Sequence, residues 1–462
     1  MSDVSKPSSA VQAMQEDWTL ASALLGGTRS MRSAGKTYLP QWPNEDQDSY
    51  KTRLATSVLF PAFSRTVGTL IGKPFSKPLT VGEDVPPKIV EWMQDIDLEG
   101  RNLDAFAAEV MECALGYGLG GILVDYPVKP DDVKTQADEQ AINLRPYFVH
   151  IKPSQLLGWI AAREHGKWVF KQLRFTEMVQ EPDGMFGTLD VKQIRVLEPG
   201  KWAIYRQSKE NAEKWVVHQE GVTTLNVVPF VPVYGERKGF MCGKSPLLEV
   251  AHMNVEHWQS ASDQRTILHV ARVPILTIIG IDDDKFALTL GASAAVKLPL
   301  NGDMKYVEHS GAAITAGQAD LDKLEERMRQ AGAELLVIKP GVVTATQVAT
   351  ENAVGMCALQ RISAGLEDAL DLALQYMATW VGLDDGGHVS LFSDYASSHL
   401  SDASAQLIVT AQQAGLISKE TTIHELKRRG TLGAEVDAET ERERIDDQGP
   451  ALGNFSSEPT GE

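Results

Sequence analysis

The sequence predicts an α+β protein that is mainly helical. Apolar residues recur at helical spacing both before and after the middle of the chain, for example over Leu103–Gly118 and Ser245–Arg272. Between residues 147 and 234, runs such as RPYFVHI and KWVFKQLRF instead alternate apolar and polar residues, with Gly or Pro between them. That alternation is typical of antiparallel strands and hairpins. A chain of 462 residues has room for about two to four domains.

The composition limits the possible functions. The 62 acidic and 44 basic residues give a net charge of -18, whereas tight nucleic-acid binding requires many Lys and Arg to neutralise phosphates. The charge therefore disfavours a protein that binds a specific nucleic-acid sequence tightly. It allows a protein past which DNA slides. Cys113, Cys242 and Cys357 lack CxxC spacing, which favours a reducing compartment over a structural zinc site. No signal peptide or membrane span is visible, so we expect a soluble, cytoplasmic protein without membrane contact.

The predicted elements follow in order. A helix after residue 47 is interrupted near Pro61, and Asn102 is placed as the N-cap of the helix that ends at Gly118. The β-rich part follows. Ser245 and Pro246 then suit the N-cap and first position of a helix. Further on we expect a compact α/β piece, a returning helix near 316–335, a turn, a long helix, two short helices and an acidic tail.

The stretch GERKGFMCGKSPLLEV, residues 235–250, has the layout of a phosphate-binding loop. That motif needs four residues between its first Gly and Gly-Lys-Ser, but only three separate Gly239 from Gly243, and the position of the first Gly holds Lys238. Pro246 also removes an N–H just past Ser245. We therefore predict a joint, in which Gly239 and Gly243 turn the chain and Ser245 and Pro246 start a helix. An ATPase with a P-loop-like turn is kept as an alternative.

Other chemical motifs fail on order or spacing. GYGLGG, residues 116–121, follows a helix and opens a strand, which reverses the order of a dinucleotide loop. His252 and His257 are five residues apart, whereas a helical zinc protease motif uses four. The run Asp282–Asp284 suits a helix N-terminus better than a metal site. The sequence therefore predicts no catalytic residues, no cofactor and no metal, and the protein is not expected to be an enzyme.

Two C-terminal segments carry further hypotheses. IVTAQQAGLISKETTIHELKRRG resembles a helix-turn-helix, but the start of its second helix holds one lysine and two glutamates where DNA readers contact bases. A DNA-binding regulator remains a weaker alternative. The segment from Thr346 to Gly382 predicts one helix of about 37 residues, roughly 55 Å long. It is rich in small residues, and Gly355 and Gly365 are its candidate kink sites.

From about Tyr38 to Arg444 the sequence resembles the bacteriophage portal protein, or head–tail connector, of short-tailed phages and prophages. Five marks occur in the family's order: YLPQWPNEDQDSYKTRLATSVLFPAFSRTVGTLIGKPF, LGYGLGGILVDYP, GKSPLLEVAHMNVEHWQSASDQRTILHVARVPIL, TATQVATENA with LEDALDLALQYMATWVGL, and AGLISKETTIHELKRRG. The resemblance implies a portal fold with a β-rich wing, a helical stem, a small α/β clip, a long kinked wing helix and a helical crown.

The resemblance also implies a layout along the chain. The implied parts are the wing (1–244, β-rich over 147–234), the inward stem helix (245–272), the clip (273–311), the outward stem helix (312–336), the tunnel loop (337–345), the long wing helix (346–383), the crown (384–434) and the acidic tail (435–462). The loop residues expected to face DNA are Lys339, Pro340, Gly341, Val342 and Val343. Lys339 is expected either to make a transient phosphate contact or to be a solvated loop lysine.

The function implied by the resemblance is structural. Portal subunits form rings, usually of twelve copies, at one capsid vertex. Double-stranded DNA passes through the ring without sequence specificity during packaging and ejection. The implied partners are the terminase large subunit, a head–tail adaptor, and the major capsid and scaffolding proteins. The implied location is the virion, after assembly in the host cytoplasm.

Overall fold

A computed structural model describes residues 3–127, 135, 138, 142–208, 214–272, 275–279, 303–307, 311–336, 356–394, 410, 412, 413, 415, 418, 419 and 421–423. The chain divides into two compact units, Met1–Leu391 and Phe392–Glu462. In the second unit, the hydroxyl of Ser418 accepts the backbone N–H of Thr421 at 3.0 Å, a typical helix-start contact. The elements below belong to the first unit.

The helices of the described residues occur mainly in two groups, before and after the β-rich part. They are α1 (Ser9–Leu25), α2 (Gly27–Ala34), α3 (Gln47–Thr56), α4 (Ala62–Ile71), α5 (Pro87–Trp92), α6 (Leu103–Tyr117), α7 (Leu248–Ala271), α8 (Ala312–Ala333) and α9 (Ala358–Trp380). The predicted break near Pro61 is present, because residues 57–61 separate α3 from α4. Asn102 caps α6 by accepting the N–H of Ala105 at 2.9 Å.

Strands occupy the stretch in which alternation predicts them, and several short strands lie outside it. They are β1 (Thr80–Val81), β2 (Leu119–Asp125), β3 (Tyr147–Ile151), β4 (Leu156–Glu164), β5 (Lys167–Asp183), β6 (Gly187–Glu198), β7 (Lys201–Gln207), β8 (Trp215–Val222), β9 (Phe230–Tyr234), β10 (Glu236–Gly239), β11 (Cys242–Lys244), β12 (Ile275–Ile279), β13 (Asp303–Val307) and β14 (Val389–Ser390).

The strands form two main antiparallel sheets. One has the order β3-β2-β9, and the other is the meander β4-β5-β6-β7-β8. A shared ion network joins them, since Arg195 on β6 contacts Asp125 on β2 and, at 3.1 Å, Glu177 on β5. Three two-stranded pairs complete the set: β1 with β14, β10 with β11, and β12 with β13.

The main core lies around β2. Every residue of β2 except Asp125 is buried, and α6 and α9 both pack against this strand. The buried side chains of α9 recur every three or four residues, at Leu359, Ile362, Leu366 and Leu370. This spacing places one apolar stripe of the helix on the sheet.

Two predicted boundaries after the β-rich part differ from those of the structure. Met356 and Cys357 are not helical, so α9 begins at Ala358 and the predicted single helix from Thr346 is not continuous. Cys357 supplies the cap: its Sγ accepts the N–H of Gln360 at 3.5 Å, and the Gln360 amide oxygen accepts the N–H of Cys357 at 2.8 Å. Residues 384–391, predicted to begin the crown, belong to the first unit, because β14 pairs with β1.

Candidate functional site at the α6–β11 joint

Three glycines allow the end of α6, the end of β9 and the end of β11 to meet. Gly118 ends α6 with a left-handed φ of 81°, and its carbonyl accepts the N–H of Gly235 at 3.0 Å. A Cβ on Gly118 would lie 2.1 Å from the Lys244 carbonyl carbon, and one on Gly243 would lie 2.1 Å from the Gly118 oxygen. A Cβ on Gly235 would lie 2.2 Å from the Ala114 oxygen. These contacts leave no room for any side chain at the three positions.

Ser245 closes the joint. Its hydroxyl donates to the carbonyl of Leu115 at 2.6 Å and accepts the N–H of Leu247 at 3.1 Å. The helix itself begins at Leu248, two residues after the predicted first helical position at Pro246, because Pro246 and Leu247 form a turn. Ser245 therefore caps that turn and also supplies a donor to α6.

The two predicted glycines of the joint, Gly239 and Gly243, differ in how closely their surroundings are packed. Gly243 is sterically required, whereas a Cβ on Gly239 would meet only the Cys242 Cβ, at 3.8 Å. β10 and β11 form a hairpin whose turn holds Met241 at a φ of 57°. The Gly-Lys-Ser run therefore continues from a β-strand instead of wrapping an anion, and Lys244 Nζ lies 3.6 Å from Glu249. Sequence reasoning missed the part played by Gly118 and Gly235, although GYGLGG was a visible signal.

A charged cluster fastens α6 to the neighbouring strand. Glu109 on α6 contacts Arg101, and one of its oxygens lies 3.0 Å from Lys152 Nζ and 3.3 Å from His150 Nδ1. The close contacts with His150 and Lys152 hold the pKa of Glu109 well below its ordinary value, although partial burial opposes this. Burial raises the pKa of the nearby Cys113 thiol to about 12. At that pKa Cys113 is a packing residue and not a nucleophile.

Helix α7 leaves the joint and is fastened to the break between α3 and α4. The buried Asn254 accepts the N–H of Phe63 at 3.0 Å and donates to the carbonyl of Phe60 at 2.8 Å. The hydroxyls of Ser262 and Ser57 are 3.0 Å apart, and Arg265 donates to the carbonyl of Thr56 at 2.7 Å. Helix α7 thus forms hydrogen bonds with backbone groups that the break between α3 and α4 leaves without helical partners.

Helices α7 and α8 form an antiparallel pair. His257 on α7 lies 3.3 Å from Glu325, and the amide of Gln264 donates to the Ile314 carbonyl at 2.8 Å. Gly317 allows this approach, because a Cβ there would lie 2.1 Å from the Gln264 side chain. The two helices contain seven acidic residues and four Lys or Arg, a balance of -3.

A cleft of about 910 Å³ lies beside the joint. Its walls come from β9, β10, the start of α7, the end of α8 and the first half of α9. Gly365 lines this cleft, and a Cβ there would meet nothing within 4 Å. Helix α9 runs through Gly365 without interruption, so the kink at this residue stays a prediction. Gly355 and the loop residues Lys339, Pro340, Gly341, Val342 and Val343 lie outside the described residues.

Among the described residues, no cluster of three or more His, Cys, Asp or Glu is placed to hold a metal ion. In the same part of the chain, no helix combines the length and hydropathy needed to cross a bilayer.

Comparison with known proteins gives one partial family match. A family described as a domain of unknown function, DUF4055, matches residues 246–381. This range runs from the start of the α7 region to the end of α9 and covers less than half of the chain. No curated protein matches the sequence.

Solved structures of gene transfer agent (GTA) particles show weak similarity. A chain of the native GTA virion has 13% identity and a TM-score of 0.42, over 84% of this chain and 96% of that one. A chain from the neck of the empty GTA particle, computed with C6 symmetry, has 13% identity and a TM-score of 0.40, over 78% and 88%. A chain from the neck of the native particle, computed with C12 symmetry, has 12% identity and a TM-score of 0.39, over 88% and 98%.

Proposed function

We propose that this chain is a phage portal subunit. Copies of it would form a ring at one capsid vertex, through which double-stranded DNA is packaged and ejected. The ring would dock the terminase large subunit and later a head–tail adaptor, and it would contact the major capsid and scaffolding proteins. The protein would act in the virion as a structural component without enzymatic activity.

One observation carries the proposal: the order of elements that follows the joint. Helix α7 leads from the β-rich part to the β12–β13 pair, and α8 returns antiparallel to α7. This order corresponds to a stem, a clip and a second stem helix, as the sequence resemblance implies. The joint supports the assignment further, because Gly118, Gly243 and Ser245 fix the point at which α7 leaves the β-rich part.

The charge balance suits a channel through which DNA slides. The whole chain carries -18, and α7 and α8 together carry -3. Because each phosphate neutralised by a protein cation adds affinity, a wall with few cations holds DNA weakly. The hairpin geometry of Gly239–Lys244 favours this passive function over the alternative packaging ATPase.

The mass of the purified protein tests the proposal. Twelve copies would give closed rings of about 606 kDa, from 12 × 50.5 kDa, with an open channel in negative-stain images. A stable monomer at high concentration would contradict the proposal. ATP hydrolysis that disappears in Lys244→Ala would instead support the motor alternative.

Lys339 tests the DNA contact within this proposal. We expect Lys339→Glu to form normal rings but to change DNA packaging or retention, because a carboxylate in the channel repels phosphate. The matched control is Lys201→Glu, an exposed lysine of β7, which should package DNA normally. Failure of Lys339→Glu to assemble would mean that the residue has a structural role.

A further inference from the structure

The β5–β6 hairpin extends beyond the sheet to which it belongs. β4 pairs with β5 only as far as Phe175, and β7 pairs with β6 only from Gln193 onward. Residues 176–192 therefore form a two-stranded ribbon about 25 Å long, at about 3.3 Å per residue. Isolated two-stranded ribbons are at best marginally stable in water. A ribbon of this kind is expected to gain stability from a partner.

The tip of this ribbon is strongly apolar and exposed. Met185 and Phe186 are 87% and 94% exposed in the turn, and Leu189 and Met178 behind them are 56% and 62% exposed. No other large apolar side chain of the described residues is as exposed as Phe186. Large apolar groups that project in this way mark interaction sites.

The cleft beside α9 offers a complementary surface. Its apolar lining includes Phe240, Ile362, Met356 and Leu372, and the last two are 52% and 43% exposed. A volume of about 910 Å³ is near the upper end of the roughly 300–1,000 Å³ typical of protein pockets. The cleft can therefore accept two large side chains.

The ribbon cannot reach the cleft of its own chain. The Trp168 ring at the start of β5 stacks on Phe240 with ring centroids 5.8 Å apart, and Phe240 lines the cleft. Fifteen residues of extended strand separate Trp168 from Asp183 at the tip, a distance of roughly 50 Å at about 3.3 Å per residue. Tip and cleft thus lie at opposite ends of one strand, so only another molecule can bring them together.

Both surfaces carry charged side chains beside their apolar residues. In the cleft, Glu236 lies 2.5 Å from Lys238 and Glu249 lies 3.6 Å from Lys244. Arg237 and Arg361 are exposed there, and neither makes an ion pair within the described part of the chain. Beside the tip, Asp183 and Asp190 are exposed and likewise have no ion-pair partner among the described residues. The cleft lining also holds the acidic residues Glu334 and Asp368, so the apolar fit, and not net charge, favours the pairing of tip and cleft.

We propose that the ribbon tip of one copy inserts Met185 and Phe186 into the α9 cleft of the next copy. Because tip and cleft are different surfaces, the contact is head-to-tail, and such contacts generate rings when the rotation between copies closes. This inference deepens the proposed portal function by naming the surfaces that join neighbouring subunits.

The first test removes the apolar tip. The double variant Met185→Asp with Phe186→Asp should raise the protein concentration needed for half-assembly by about thirtyfold, the factor that corresponds to the ~2 kcal/mol of an interface hot spot. Val222→Asp, at a site 80% exposed on β8, is the control and should assemble normally. Both variants replace exposed side chains, so circular dichroism and thermal melting should show an intact fold.

The second test links the two surfaces directly. Phe186→Cys is combined with Leu372→Cys in a Cys242→Ser background, because the remaining cysteines, Cys113 and Cys357, are buried. Oxidation should give a ladder of dimers, trimers and larger covalent oligomers on a denaturing gel. Each single-cysteine variant should give at most dimers.

The outcomes separate this inference from the portal proposal. If the tip variant forms rings as the wild type does, and the double-cysteine variant gives no crosslinked ladder, the docking is overturned. The portal proposal then stays intact. A monomeric wild type would overturn both proposals.

Discussion

Gly243 and Gly365 are both glycines that the sequence places at points of flexibility, yet their surroundings are opposite. A Cβ on Gly243 would collide with the Gly118 carbonyl at 2.1 Å, whereas a Cβ on Gly365 would meet nothing within 4 Å. The first glycine allows two backbones to touch, and the second leaves a surface open. The comparison shows that the same residue type can serve close packing within a subunit or access from outside it.

The largest expected effect is at Gly118, where crowding and backbone strain combine. We expect Gly118→Ala to lower the free energy of unfolding by about 3 kcal/mol or more, because the new Cβ clashes and the φ of 81° disfavours any side chain. Gly166→Ala is the matched control, since Gly166 has the same φ of 81° but open space. Urea unfolding should show a much smaller loss for the control. Equal losses would mean that strain alone matters at the joint.

A substitution at Gly243 tests the effect of steric crowding separately from that of backbone strain. Gly243→Ala should cost about 2 kcal/mol, because overpacked sites must shift backbone or rotamers. Gly239→Ala, four residues away with its nearest contact at 3.8 Å, should change stability by no more than about 0.5 kcal/mol. Denaturation midpoints of the two variants provide the comparison. Similar midpoints would contradict the distinction drawn between the two glycines.

Glu109 tests the attachment of α6 through the pH dependence of stability. Since its pKa is lowered in the folded protein, its stabilisation is present above the ordinary glutamate pKa of about 4.3 and is lost as the pH falls below it. Glu109→Gln should cost about 1–2 kcal/mol at pH 7, and its urea midpoint should fall less steeply between about pH 5 and 2. If the urea midpoint of the variant falls with acidic pH as steeply as that of the wild type, Glu109 does not make this contribution.

The smallest effect is expected at Gly365. Gly365→Ala should raise stability by up to about 1 kcal/mol, because alanine favours a helix interior and the site is open. Thermal melting of the unassembled chain measures this. If the variant instead weakens ring assembly while stabilising the monomer, the open side of α9 is a contact surface between copies.

Local sequence signals predicted some elements well. Asn102 and Gly118 fixed both ends of α6, and alternation located the strands from Tyr147 to Tyr234. The start of α9 escaped prediction because its cap is Cys357, a residue type seldom used as an N-cap. The contact of Gly118 with Gly243 also escaped, because it joins segments far apart in the chain and no local pattern encodes it.

The attachment of α7 to the α3–α4 break has a mechanical consequence. Its three polar attachments, at Asn254, Ser262 and Arg265, span 11 residues, or about 16 Å of helix at 1.5 Å per residue. Fixing a rod at several points along its length resists tilting, whereas a single point would act as a pivot. A load applied at the β12–β13 end of α7 would therefore pass into residues 56–63 without bending the helix at the joint.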